Sequence, residues 1–170
     1  HDWTNFEMGR LTVPHAKSLL EREVLRDSTA DLVALAAVRA GRYSRAMGDS
    51  DEAESIHRTA VEFASRNGAT ASVQIQTKMS VASDRWAAGF EDEAGEQYLE
   101  IFEESKGRPD LSIEQRADIA GAAGVAMYAL GRYEDAIRFA EISLGYCNDS
   151  HEPSESQWVT QSSNRLMYML

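Results

Sequence analysis

Apolar residues recur at intervals of three and four along most of the chain, the spacing of one face of an α-helix. Leu32, Leu35, Ala36, Val38 and Ala40 make one such run, and Tyr98, Leu99, Ile101 and Phe102 another. The alternation of a half-buried strand is nowhere sustained, and no hairpin turn pair lies between β-branched runs. Ala, Glu, Leu, Arg, Gln and Met, all good helix formers, are abundant. The pattern predicts an all-α protein.

Helix breakers divide this pattern into segments. Pro14, read as a first-turn residue, predicts a helix ending near Arg26. Asp27-Ser28-Thr29 offers N-caps for a helix to about Met47, and Gly48-Asp49-Ser50 reads as a turn. Helices follow from Asp51 to about Arg66, closed by Asn67-Gly68, from Thr70 to Ala88, and from Glu91 to Ser105. After the loop Gly107-Arg108-Pro109-Asp110, Ser112-Ile113-Glu114-Gln115 resembles the capped start of a helix ending near Leu130. Gly131 turns the chain into a helix from Tyr133 to Leu144. A polar loop from Cys147 to Glu152 then leads to Pro153 and a last helix, the eighth.

Three of the turns share a pattern. Gly48-Asp49-Ser50-Asp51-Glu52-Ala53, Gly89-Phe90-Glu91-Asp92-Glu93-Ala94 and Gly131-Arg132-Tyr133-Glu134-Asp135-Ala136 each read Gly, two residues, acid, acid, Ala. Another small residue, Gly41, Ala82 or Gly124, stands before each turn at the same distance. Small residues at fixed places let two helices approach closely, and repeated helix pairs can bury their faces on one another.

These residues resemble the tetratricopeptide repeat. Gly124 to Ile137 is close to that family's consensus, and Gly41 to Ala60 is similar to it. The period is longer than the usual one of about 34 residues, and so resembles the kinesin light chain type and the arrays that end many nucleotide-switched signalling ATPases. Arg10 to Glu21 looks like the entry helix of the latter. The resemblance implies a right-handed superhelix of helix-turn-helix repeats with about eight helices. Its segments are an entry helix over 1–29, repeats over 30–69, 70–111 and 112–152, and the first helix of a truncated fourth repeat over 153–170.

What the resemblance implies about function is a non-catalytic scaffold that recognises a protein or peptide in a concave groove lined by first helices. The candidate lining is Leu35, Val38, Arg39, Arg42, Arg45, Gln76, Met79, Ser83, Trp86, Asp118, Val125 and Tyr128. Chaperone-binding relatives clamp a carboxylate with Lys and Asn where this chain has Val38 and Arg42, so that specificity is not expected. Two alternatives stay open: a ligand-sensing or autoinhibitory region of a larger signalling ATPase, and a peptide-responsive transcriptional regulator. Either would carry its other domains upstream.

Charge narrows the partners. Seventeen Lys and Arg against 28 Asp and Glu give a net −11, a field that repels a phosphate backbone and makes nucleic acid an unsuitable partner. The first 47 residues carry seven bases and six acids, the remainder ten bases and 22 acids. Arg39, Arg42 and Arg45, three apart on one helix, therefore form a candidate anion-reading row. The acidic run from Glu91 to Glu104 is expected on an outer, solvated face. No apolar run approaches the ~20 residues of a membrane span, so no membrane partner is expected.

Candidate chemistry is sparse. Phosphate-loop, zinc-protease and nucleophile-elbow motifs are all missing from the sequence. Cys147 and His151 lie near Asp149 and Glu152, but too few ligands accompany them for structural zinc, and no metal or cofactor is expected. The single cysteine excludes an internal disulfide and suits a reducing, cytoplasmic setting. His57 reads as a core residue, and Phe63, Tyr98, Phe102, Tyr133, Ile137 and Phe139 read as inter-helix packing. Trp158, Val159, Leu166, Met169 and Leu170 make a stripe at helical spacing. If the chain is an excised piece of a longer array, as its opening His1-Asp2-Trp3 suggests, that stripe is expected to support a homodimer.

Overall fold

The computed structural model describes residues 3–21 and 27–149, with side chains described at 11–21 and 29–146. All regular structure there is helical: α1 (Trp3–Leu20), α2 (Asp27–Ala46), α3 (Ser50–Arg66), α4 (Ala71–Ala87), α5 (Glu91–Lys106), α6 (Ile113–Ala129) and α7 (Tyr133–Asp149). None of them is long and apolar enough to cross a membrane. The expected eighth helix and its stripe, Trp158, Val159, Leu166, Met169 and Leu170, lie outside the described residues. The chain divides into two compact units, His1–Asp84 and Arg85–Leu170, and the division falls within α4.

The aligned turns are built from the same hydrogen bonds. Gly48, Gly89 and Gly131 have φ of 88°, 84° and 72°, in the left-handed region where a Cβ is disfavoured. The residue after each glycine donates its N–H five residues back, Asp49 to Ser44 and Phe90 to Arg85 at 3.0 Å, Arg132 to Met127 at 2.8 Å. Each glycine N–H reaches the carbonyl three residues back, on Arg45, Trp86 or Tyr128, at 3.0 Å. Those bonds satisfy carbonyls that a helix end leaves open. The following helix then opens alike, with Ala53, Ala94 and Ala136 donating to Asp49, Phe90 and Arg132. The three alanines are buried, at 0%, 0% and 1% exposure.

Two expected boundaries are corrected. α1 begins at Trp3 and runs through Pro14 instead of starting there. Pro14 is exposed, so the carbonyl that loses its N–H partner to the proline ring can turn to water. α7 continues to Asp149 and so takes in Cys147, expected to open a loop. The expected capping box at Ser112 and Gln115 is formed at the start of α6.

In the first unit α1, α2 and α3 pack around Val13, Ala16, Leu20, Val33, Ala37, Ile56 and Phe63, joined by Val73 of α4. In the second, α6 packs against both α5 and α7. Phe102 meets Phe139 edge to face, with ring centroids 4.8 Å apart. Gly95 lets Leu130 approach, since a Cβ there would lie 2.7 Å from a leucine methyl. Arg116 braces the loop before α6, donating to the carbonyls of Ser105, Arg108 and Leu111. Tyr133 and Ile137 are 59% and 39% exposed, on one face of α7, and the Tyr133 ring still packs on Tyr128 of α6. One turn's spacing on a helix marks a shared face without marking which side is covered.

Candidate functional site

The expected groove residues fall into both units, and each set is described within its own unit. On α2, Arg39 and Arg42 are exposed and Leu35 is half-buried. Val38 is 1% exposed and belongs to the interior. Gln76, Met79 and Ser83 of α4 are half-buried.

Arg45 is engaged elsewhere. Its guanidinium donates to Asp84 Oδ1 at 2.8 Å and to Ser83 Oγ at 2.9 Å. The other Asp84 oxygen lies 2.5 Å from His57 Nδ1. His57 Nε2 lies 3.0 Å from the Val38 carbonyl. A carbonyl only accepts, so Nε2 carries a hydrogen. Nδ1 faces the Asp84 carboxylate. Arg45 supplies positive charge on the far side. His57 is fully buried and both ring nitrogens are taken, so the ring has no free position from which to act on a substrate. Its seat is Gly41, where a Cβ would stand 2.4 Å from Nε2. The expectation of a core histidine holds. Asp84 was not singled out by the sequence.

A cleft of about 470 Å³ opens beside the exposed part of α2. Leu32, Leu35, Ala36, Arg39, Ala40 and Tyr43 line it from α2, and Thr12 from α1. The α2 positions follow the three-four spacing of a single helix face. Leu35 and Arg39 are thus brought together from the expected set, while Arg42 stands one turn further on. Thr12, Leu32, Ala36 and Tyr43 were not among the expected site residues. The stripe was visible in the sequence, but periodicity does not distinguish a face packed in a core from one that borders a cleft.

In the second unit, Trp86, Asp118 and Val125 are half-buried and Tyr128 is 40% exposed. The Tyr128 ring meets Tyr133 edge-on, with centroids 5.4 Å apart. Glu91, Asp92, Glu93, Glu96, Glu100 and Glu103 of α5 are exposed. Among the described residues no group of three or more His, Cys, Asp or Glu is placed to hold a metal ion. His151 lies outside the described residues.

No protein-family model matches the chain, and no curated protein matches it in sequence.

Proposed function

We propose that the chain is a tetratricopeptide-like repeat module that binds a protein or peptide and carries no catalysis of its own. The observation that carries this reading is the threefold recurrence of one hydrogen-bonded turn, at Gly48, Gly89 and Gly131, with a buried alanine at the same place after each. A helical hairpin repeated in register is the unit of a linear array, and such arrays offer extended binding surfaces. In the first unit, exposed and half-buried Leu35, Arg39 and Met79 give the first helices aliphatic and cationic character, and in the second, Tyr128 gives α6 an exposed aromatic ring. Aromatic and arginine side chains are the common anchors of protein interfaces. The right-handed superhelix belongs to the same reading, as does a scaffold role in cytoplasmic signalling.

The test starts from a random dodecapeptide library displayed on phage and panned against the 170-residue chain. Hydrogen exchange is then compared with and without the enriched peptide. Protection is expected on α2, α4 and α6. Protection confined to α3, α5 and α7, or a library that yields no enriched peptide, overturns the reading.

A further inference from the structure

We propose that the α1–α2 cleft is the anchoring pocket of this module and takes a large aliphatic side chain together with a neighbouring carboxylate of the same peptide. The proposal rests on the peptide-binding reading and gives it a chemical class of partner.

Size comes first. At about 470 Å³ the cleft lies within the ~300–1,000 Å³ range of ligand pockets, room for a side chain and the peptide groups beside it. Its wall is aliphatic where Leu32, Leu35, Ala36 and Ala40 meet it. Leu32 is 68% exposed, apolar surface that an incoming aliphatic group would bury.

Among the described residues the charge on the wall has one sign: Arg39 is the one ionisable group lining the cleft there besides the Tyr43 phenol, and α2 contains no acid from Leu32 to Ala46. Lys17, Arg45, Arg58, Arg108 and Arg132 are each paired with a carboxylate. Arg39 and Arg42 have no such partner among the described residues. In a protein of net charge −11, the Arg39 guanidinium on the cleft wall and that of Arg42 one turn on, neither with a carboxylate partner among the described residues, complement an acidic ligand. A guanidinium fork fits a carboxylate with two parallel hydrogen bonds.

The openness of the site selects a peptide over a free small acid. A small-molecule pocket encloses some 70–90% of its ligand, whereas this cleft is bordered by a leucine that is itself more than half exposed. A side chain entering from a longer chain leaves its backbone outside and needs no such enclosure.

The experiment uses the peptides enriched by panning against the full chain. Their consensus should place Leu, Ile or Met beside Asp or Glu. Affinity of the synthetic consensus peptide is expected to fall about tenfold or more in Arg39→Met, the scale of a lost charged hydrogen bond, and also in Leu32→Ser. Both residues are exposed, so both variants should fold, which circular dichroism checks. Changing the peptide's acid to its amide should cost as much, with little further loss in Arg39→Met. A consensus without an acid, or affinity unchanged in both variants, overturns the pocket, while protection on α2, α4 and α6 would still uphold the peptide-binding reading. Failure to enrich any peptide overturns both. The small acid 4-methylpentanoate serves as the other arm: binding as tight as the peptide's would assign the cleft to a free carboxylate and overturn the peptide.

Discussion

At the scale of single residues, the first unit is organised around a charge network that it cannot easily surrender. Asp84 is nearly fully buried, and its two oxygens are divided between His57 and Arg45. Removing one member of a buried ionic pair leaves its partner uncompensated, which costs about 3–5 kcal/mol. Asp84→Ala should therefore lower the unfolding free energy by roughly that amount in a urea titration, and a loss of a few tenths would show that the network contributes little. Gly41 is coupled to the same ring. Gly41→Ala should cost on the order of 1–3 kcal/mol by overpacking His57. In a His57→Ala background the same substitution should cost much less, and strict additivity in the double-mutant cycle would exclude direct contact as the cause. That His57 is buried was legible from its place on α3. That Asp84 answers it was not, because the two lie 27 residues apart and such a separation leaves no periodic trace. The same pairing draws Arg45 out of the cationic row that its spacing on α2 suggested.

At the scale of elements, the turns were readable because their physical demand falls on one residue type. A left-handed backbone position strongly favours glycine, so Gly48, Gly89 and Gly131 announce themselves without any tertiary information. Replacing Gly131 by Ala should cost about 1 kcal/mol through that backbone alone, since open space surrounds its Cβ position. Equal stability of parent and variant in a thermal melt would be inconsistent with the φ described. Ala136→Leu should cost roughly 1–3 kcal/mol, because the alanine is buried where the second helix of its hairpin begins and neighbouring side chains must move. Pro14 was misread for a related reason. Proline in a first turn and proline on the exposed side of a helix have the same sequence, and only the course of the backbone separates them. Tyr133 and Ile137 show the limit of helical spacing in the same way: the face was legible, its exposure was not.

At the scale of the molecule, charge is unevenly divided. His1–Asp84 carries ten bases and twelve acids, whereas Arg85–Leu170 carries seven bases and sixteen acids. Self-repulsion in the second unit is screened by salt, within a Debye length of about 10 Å at 0.1 M. Stability should therefore rise when sodium chloride is increased from about 0.02 M to about 0.3 M, a range in which that length contracts strongly. The melting temperature is the measurement, and a flat or falling value would mean that local ion pairs such as Arg108–Glu104 and Arg132–Asp135 already balance the field. The same salt should weaken binding at Arg39, so stability and affinity are expected to move in opposite directions.

The repeated turn also bears on how such a chain can diverge. Of the six aligned positions, two are identical in all three copies, the Gly and the Ala, and the paired acids before the Ala exchange Asp for Glu. The backbone bonds they frame recur with the same donors and acceptors. If the copies arose by duplication of an ancestral hairpin, selection has preserved a geometry that asks for very few particular side chains. The remaining positions are then free to drift, and residues such as Leu32 and Arg39 on the first helices can be recruited for recognition without disturbing the turn.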